Sequence, residues 1–248
     1  MLKCFRADLH IHTCLSPCAD LTMSPKRIIN TGLAKKLDMI AICDHNSAEN
    51  VHAAINASHN TRLTVIAGME ITSTEEVHVI ALCPTYEAVR ALQELVYENL
   101  APGENDESLF GPQIMANESD EIEGYNKRLL IGATSLPVKR IVDEIHGLRG
   151  LAIASHIDRE AYSIIGQLGF IPDDLDLDAL EISSSTTIAT AIERFPQIEK
   201  YTLISSSDAH YLDDIGKTTT QFMIEKPSLE ELRKAFRDVD GRSVLTQA

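Results

Sequence analysis

Two spacings of apolar residues alternate along the chain. Short apolar runs are separated by longer segments in which apolar residues recur every three or four positions. The first spacing favours buried β-strands, and the second is typical of amphipathic helices. The pattern predicts strands at Arg6–Ile11, Asp38–Cys43, Leu63–Ile71, Val77–Cys83, Gly150–Ser155, Asp178–Ser183, Tyr201–Ser205 and Thr220–Glu225. It predicts helices at Ser24–Lys36, Ala48–Ser58, Tyr86–Glu98, Val138–Arg149, Thr187–Phe195 and Leu229–Asp238.

The order of these elements indicates the fold class. A strand followed by a helix, repeated about seven times, is typical of an α/β protein with a mainly parallel sheet. Charged residues recur at many strand ends, where barrels place their active sites, so a closed or nearly closed barrel is favoured. Segment 101–135 breaks the rhythm because it is acidic, rich in Gly, Pro and Asn, and without clear periodicity. We expect one domain over residues 1–248, with an inserted loop at about 101–135 on one rim.

Composition narrows the possible partners and the cellular compartment. The net charge is −15, which argues against a broad nucleic-acid face and favours a small substrate, possibly a nucleotide. The five cysteines form no C-x-x-C pair, so a disulfide framework is not expected. The N-terminal residues resemble no signal peptide, and no apolar run of about 20 residues exists to cross a membrane. We therefore expect a cytoplasmic protein without a membrane partner.

The sequence Asp8-Leu9-His10-Ile11-His12 ends the first predicted strand. Side chains alternate across a strand, so His10 and His12 point to the same side and form a ready edge for a metal ion. The pair is equally compatible with two ordinary polar residues at a strand end, because H-x-H sequences also arise by chance.

Other candidate ligands follow later strands. His45 follows the second strand, although its neighbours Asp44 and Asn46 also suit a helix cap. Glu70 is the only charge in Leu63–Ile71, so a buried position would require a partner or a cation. His78 by itself is more typical of a core histidine than of a ligand.

Two further groups follow the fifth and seventh strands. His156 precedes Arg159, which is suited either to a phosphate group or to a surface ion pair. Asp208 and His210 repeat the two-residue spacing of the first strand, which is also compatible with a plain polar loop. The whole set favours a metal site, because six of the nine histidines lie at or beside predicted strand ends, while His52 and His146 lie inside predicted helices and His59 directly follows one.

These motifs resemble the PHP family, the polymerase and histidinol phosphatase superfamily. The matching pieces occur in the family's order and span most of the chain: DLHIHT at 8–13, CDHN at 43–46, GME at 68–70, His78, SHID at 155–158 and SDAH at 207–210. The resemblance implies a distorted (β/α)7 TIM-like barrel. It also implies two or three divalent metal ions (Zn, Mn or Fe) and the hydrolysis of a phosphate monoester or small diester.

The resemblance also implies a ligand set. One metal would bind His10, His12, Glu70 and Asp208, and a second would bind Glu70, His78 and His156. A third would bind His45 and His210 with a residue from the loop after the first strand. We expect Asp20 there in preference to Cys18, because a hard carboxylate suits Mn or Mg whereas a thiolate favours Zn.

The implied mechanism uses a hydroxide held between cations, since metals lower the pKa of bound water to roughly 7. Glu70, Asp208 and His210 are the expected catalytic residues, and Arg159 is expected to bind a phosphate oxygen. Asp8 and Asp44 are expected either to orient the imidazoles or to cap the backbone.

Two other functions are compatible with parts of the pattern. Amidohydrolase-type C–N hydrolysis also begins from H-x-H on a barrel strand, but the D-x-H ending and the early Asp44-His45 favour phosphate esters. A metal-binding domain without catalysis is the second alternative, which the apparently full ligand set disfavours.

Overall fold

The computed structural model describes residues 1–245. Its strands are β1 Lys3–Ile11, β2 Met39–Ile42, β3 Thr64–Thr72, β4 His78–Cys83, β5 Ile114–Ala116, β6 Ile122–Tyr125, β7 Leu151–Ala154, β8 Ala179–Ile182, β9 Leu203–Ser205, β10 Thr220–Ile224 and β11 Ser243–Leu245. Its helices are α1 Pro25–Ala34, α2 Val51–Ser58, α3 Tyr86–Asn99, α4 Glu107–Phe110, α5 Val138–Gly147, α6 Ile164–Leu168, α7 Ile188–Arg194 and α8 Leu229–Phe236. All the predicted strands and helices are present, with ends shifted by a few residues.

Nine strands form one sheet in the order β11-β10-β1-β2-β3-β4-β7-β8-β9. Strands β1, β2 and β3 are parallel, as are β7, β8 and β9. Strand β4 runs antiparallel to both neighbours, and β10 runs antiparallel to β1. The expected α/β fold with a distorted, nearly closed barrel is confirmed, and the two reversed strands are its main departures from a regular parallel barrel.

The gap between β9 and β1 is only partly closed. Ile11 and Ala209 form an isolated parallel bridge, with Ala209 O accepting from His12 N at 3.0 Å. On the other side, the Thr220 hydroxyl accepts from Ser205 N and donates to Ser205 O, both at 2.8 Å. A short backbone bridge and hydrogen bonds from a few side chains therefore replace a full ladder here.

Alternate side chains of the strands serve two apolar layers. Those facing outwards pack under the helices, while Leu9, Ile80 and Phe222 face inwards with side chains of α8. Arg233 of α8 donates to the carbonyl of Gly150, just before β7 begins. Helix α8 therefore covers one end of the barrel, and the other end is free to carry the polar residues that follow β7.

Segment 101–135 is more ordered than the irregular loop we expected. It contains α4 and the antiparallel pair of β5 and β6. Its backbone is bound to the barrel loops, because Ile114 N donates to Cys14 O at 3.0 Å and Asn46 Nδ2 donates to the carbonyls of Leu130 and Gly132 at 2.8 Å each. The segment therefore lies against the loops that follow β1 and β2. Within residues 1–245, no helix is long and apolar enough to cross a membrane.

Candidate metal centre

The predicted ligands come together at the barrel end opposite α8, with the exception of Asp20. His10 and His12 lie at the end of β1, and Glu70 lies near the end of β3. His78 opens β4, but it reaches the same end because β4 runs in the reverse direction. The remaining members follow the ends of their strands: His45, His156, Asp208 and His210.

The first set of donor atoms surrounds the end of β1. The Nε2 atoms of His10 and His12 lie 3.1 Å apart. Asp208 Oδ1 lies 3.4 Å from the first and 3.2 Å from the second. All three side chains are buried, so three donor atoms face one point with little access to water.

Glu70 lies between two groups of imidazoles. Its Oε2 is 3.4 Å from His12 Nε2 and 3.2 Å from His45 Nδ1. Its Oε1 is 3.1 Å from His78 Nδ1 and 3.3 Å from His156 Nε2. Each oxygen faces a different group, which is the arrangement of a carboxylate that bridges two cations.

Backbone pairing fixes Glu70 against the loop that carries His45. The two residues form a parallel bridge, in which Glu70 N donates to Asp44 O and Glu70 O accepts from Asn46 N. Asn46 has a positive φ of 51°, which asparagine tolerates better than most residues. This turn brings His45 alongside the bridging carboxylate.

The donor atoms fit divalent cations. In each of three sets, one potential ligand atom per residue lies within 4.8 Å of the others. The sets are His12, His45 and His210; His10, His12 and Asp208; and His45, Glu70 and His78. Among the described residues, buried His45 Nδ1, His78 Nδ1 and Glu70 Oε1 make no hydrogen bond, although they lie close together. Leaving such atoms unpaired costs about 1–3 kcal/mol each, and a shared cation removes this cost. Imidazole and carboxylate together suit Zn, Mn or Fe.

Two polar side chains outside the cluster orient the β1 histidines. Glu181, buried in β8, accepts from His10 Nδ1 at 3.0 Å, which directs Nε2 towards the cluster. His12 Nδ1 contacts the Ser16 hydroxyl at 3.0 Å, and that hydroxyl donates to Asp44 Oδ1. Such outer contacts fix the tautomer and ring orientation of a ligand histidine.

Asp8 and Asp44 do not contact an imidazole directly. Asp44 accepts from the backbone and hydroxyl of Thr13, and it reaches His12 only through Ser16. Asp8 accepts from the backbone and hydroxyl of Ser207 and from Gly216 N at 2.8 Å. Burial raises the pKa of Asp8 to about 6, although these hydrogen bonds oppose the shift. Asp8 therefore anchors the loop that carries Asp208 and His210.

Burial and the neighbouring charges shift the pKa values of the cluster side chains in different directions. Burial disfavours a charged His10, but the carboxylates of Glu181, Glu70 and Asp208 outweigh it and raise the pKa of His10 well above its ordinary value. Burial and the neighbouring His210 lower the pKa of His12 to about 4. Burial opposes ionisation of Glu70, but His78 and His10 hold its pKa well below the usual range. The cluster therefore combines an ionised Glu70 and a neutral His12, the forms that bind metals, with a His10 whose proton a cation would have to displace from Nε2.

The structure does not bring Asp20 into the cluster. Its carboxylate accepts from the backbone and hydroxyl of Thr22, at 2.9 and 2.5 Å, in an Asx-type turn. Cys18 lies nearer, with its Sγ 3.0 Å from His210 Nε2. The preference of Mn or Mg for a hard carboxylate favoured Asp20, but the local turn satisfies that carboxylate and leaves the Cys18 thiol facing the site.

Arg159 lies where the cluster opens to solvent. Its Nη1 is 2.8 Å from Asp208 Oδ2, and the side chain is 42% exposed. The opening is a cavity of about 420 Å³. Its walls are formed by cluster members together with Cys18, Ile131, Arg159, Ala161 and Tyr162.

Three residues at the site were missed in the sequence. Glu181 had a usable signal, because it is the only charge in the apolar strand Ala179–Ile182, as Glu70 is in its own strand. Ser16 and Tyr162 had none, since their positions depend on loops whose path is fixed only in three dimensions.

A barrel with buried histidines and carboxylates at one mouth defines a class of metal-dependent hydrolases. Residues 8–177 match the PHP domain family, and residues 194–239 match the PHP-associated family. The chain therefore belongs to the PHP domain family.

Two solved structures match almost the whole chain. The lesion-specific endonuclease Q of Pyrococcus furiosus matches with a TM-score of 0.74 and 22% identity, covering 98% of this chain and 58% of that one. A complex of endonuclease Q with a 27-mer duplex carrying an abasic lesion matches with a TM-score of 0.75 and 19% identity, covering 97% and 58%. The chain thus spans less than two thirds of those proteins, and at these identities the likeness is one of fold.

A curated relative matches over a shorter region. The 5′-3′ exoribonuclease of Haemophilus influenzae is 28% identical over 78 residues, which are 30% of this chain and 27% of the relative. The matched region is therefore a minor part of both proteins.

The expectation of a small phosphorylated substrate without a nucleic-acid face is wrong. It is contradicted by the match to an endonuclease that is bound to a 27-mer duplex substrate. The physical reason is that a net charge of −15 sums over the whole chain. It does not describe the mouth of the site, where Arg159 lies and where divalent cations, if bound, would add positive charge.

Proposed function

We propose that the protein hydrolyses phosphodiester bonds in nucleic acid with the help of divalent metal ions. The observation that carries the proposal is the position of Glu70, whose two oxygens face separate groups of imidazoles beneath Arg159. The names of the matched endonuclease and exoribonuclease support nucleic acid as the substrate class.

Two or three divalent ions (Zn, Mn or Fe) fit the proposed centre. His10, His12, Glu70 and Asp208 would hold one, and Glu70, His78 and His156 a second. His45 and His210 would hold a third with Cys18, which replaces Asp20 in this role because only the thiol faces His210. When bound, such ions lower the pKa of water towards neutrality and offset the negative charge of a phosphate.

The protein's own residues position the reaction. Glu181 and Ser16 hold the rings of His10 and His12, so that both Nε2 atoms face the cluster. Arg159 uses Nη1 to contact Asp208, and a guanidinium has five N–H donors, so others are available for a phosphate oxygen. Asp208 thus links the substrate-binding arginine to the metal ligands.

The amidohydrolase alternative is disfavoured by the lining of the cavity. Such enzymes often use a carboxylated lysine between two metals, whereas the residues described around this cavity include no lysine. Glu70 would take the bridging position instead.

Metal analysis and a substrate panel test the proposal. Protein loaded with Zn, Mn or Fe is assayed on bis(p-nitrophenyl) phosphate, on labelled single and double strands of DNA and RNA, and on cyclic amides. We expect phosphodiester cleavage, abolished in Glu70→Ala, with a raised KM in Arg159→Gln and partial rescue in Arg159→Lys. We also expect Cys18→Ser to bind one metal fewer.

Two results would contradict the proposal. Full metal occupancy without turnover of any ester would indicate a binding domain. Turnover of cyclic amides alone would indicate C–N hydrolysis. The matched control is Glu199→Gln, which changes an exposed carboxylate away from the cavity.

A further inference from the structure

We propose that a base of a single-stranded nucleic acid stacks on Tyr162, while the next phosphate binds Lys217 in a neighbouring cavity that meets the first at Arg159. This inference rests on the proposed function and names how its substrate is held. Two features carry it: an aromatic ring held at the mouth of the metal cluster, and a second cavity that joins the first at Arg159.

Tyr162 is held in an unusual position. Its φ is 59°, a left-handed conformation that is strained for an aromatic residue. Its carbonyl accepts from His78 N at 2.9 Å, and its ring stacks on the His78 ring at 4.6 Å with 19° between the planes. One face of the ring is thereby covered. The residue is nevertheless 42% exposed, so the opposite face is the one open to a ligand.

The surroundings of Tyr162 suit a base better than a phosphate. Ile131 and Ala161 line the cavity with it, which gives this wall an apolar character beside an otherwise polar cluster. Phosphate hydrolysis by itself requires no apolar wall. A nucleobase has a flat face that stacks on aromatic side chains, and such stacking is tolerant of sequence.

A second cavity of about 530 Å³ shares Arg159, Asp208 and His210 with the first. Lys217 lines it with the hydroxyl residues Ser184 and Thr218. Lys217 is 62% exposed, and its ammonium contacts Asp214 at 2.7 Å, which leaves further N–H donors. Hydroxyl groups and positively charged side chains such as Arg159 and Lys217 are the groups that commonly contact phosphates along a strand.

The two cavities meet at the Arg159–Asp208 contact, beside the metal cluster. A strand that crosses this point would present its scissile phosphate to the cluster, one base to Tyr162 and the next phosphate to Lys217. Stacking on a side chain requires a base that is free of its duplex partner and neighbours. The geometry therefore points to an unpaired nucleotide, which a single strand presents without the cost of breaking base pairs.

A thermodynamic cycle tests the stacking. The metal-loaded protein is titrated with a fluorescein-labelled single-stranded decamer, in which one nucleotide at a time is replaced by an abasic one. We expect one position at which loss of the base weakens wild-type binding by about 5- to 100-fold. Tyr162→Leu should weaken binding of the unmodified strand similarly and be insensitive to the abasic replacement, whereas Tyr162→Phe should resemble the wild type.

The cycle also excludes a purely structural effect. If Tyr162 only supports His78, Tyr162→Leu will weaken natural and abasic strands equally, which would overturn the inference, as would unchanged binding. Tyr125→Leu is the matched control, because Tyr125 is also exposed but lines neither cavity. Metal content and thermal unfolding of each variant establish that the centre is intact.

A second substitution tests the phosphate subsite. Replacing one linkage at a time by an uncharged methylphosphonate should weaken wild-type binding by about two- to fivefold at one linkage, and Lys217→Gln should abolish that dependence. Lys226→Gln, an exposed lysine outside both cavities, is the control. Equal behaviour of the two variants would overturn the subsite. If the protein turns over bis(p-nitrophenyl) phosphate but its binding depends neither on the base at Tyr162 nor on the linkage charge at Lys217, this inference is refuted and the proposed function stands. If the protein turns over no ester, the proposed function is refuted.

Discussion

Glu181 controls the cluster from outside it. Its carboxylate accepts a hydrogen bond from His10 Nδ1–H, which leaves Nε2 free for a metal. Glu181→Gln preserves the size of the side chain but removes the charge that favours this orientation. We expect metal affinity to fall about 10- to 100-fold. Competition with a chromogenic chelator measures the change, and Glu193→Gln on the exposed face of α7 is the control. Unchanged affinity would show that His10 is oriented by packing alone.

His146 makes a contribution to stability that depends on pH. A hydrogen bond with Asp178 at 2.8 Å raises its pKa against partial burial, with Asp176 also raising it and Arg233 opposing. The protonated form is therefore favoured in the folded state. This contribution is complete below the unfolded pKa of about 6.5 and disappears as the pH rises through the folded value.

The test compares urea unfolding of the wild type and His146→Gln at pH 6 and pH 9. We expect the wild-type advantage to be present at pH 6 and lost at pH 9. Exposed His59→Gln serves as the control. An advantage that does not change with pH would contradict the assignment, and the comparison between variants removes effects common to all of them.

At the scale of elements, strand β3 lies so close to its neighbours β2 and β4 at Gly68 that a side chain does not fit there. A Cβ there would lie 2.8 Å from both Cys43 Sγ and Ile42 O, and 3.1 Å from Ala81 O. Backbone on both sides leaves no room to relax, so Gly68→Ala should destabilise the protein by about 1–3 kcal/mol and displace Glu70, two residues on. Gly147→Ala is the matched control, because a Cβ there meets nothing within 4 Å and should be neutral or slightly stabilising. Chemical denaturation and metal content measure both effects. Equal stability of the two variants would contradict this account.

Most elements could be predicted because their apolar patterns reflect burial on one or both faces. The direction of β4 could not, since alternation along a strand is the same in both directions. Strand β11 was missed because its three residues are only partly buried. The pair β5 and β6 was missed because its residues carry a weak pattern and are held by contacts with distant loops, such as Ile114 with Cys14.

The candidate site was predicted to a similar extent. Each imidazole and carboxylate at the centre except His78 had a local signal at the end of a strand, whereas His78 opens β4 and gained weight only from the set as a whole. Asp20 failed because its own turn satisfies it, which a count of residue spacing cannot detect. Glu181 was overlooked in a strand that was read only for its apolar pattern.

At the scale of the whole molecule, a strand held by two phosphate contacts should show a shallow salt dependence of binding. If Arg159 and Lys217 supply the two phosphate contacts, log K should fall against log salt with a slope of about −1.4, or about −0.7 per contact for a single strand. Anisotropy titrations at several monovalent salt concentrations measure the slope. A slope several times steeper would indicate a broad basic surface and contradict the two-contact arrangement.

Because of the gap between β9 and β1, metal binding should also affect the stability of the barrel wall. His10 and His12 lie on one side of it, and Asp208 and His210 on the other, where the backbone supplies only a short bridge. Cations bound by residues from both sides of the gap would cross-link the barrel wall. Stripping them should increase hydrogen exchange first in residues 206–216, and uniform exchange around the barrel would refute this. Loss of the metal ions would thus leave the barrel open at this gap, so that metal occupancy also sets the local stability of the wall.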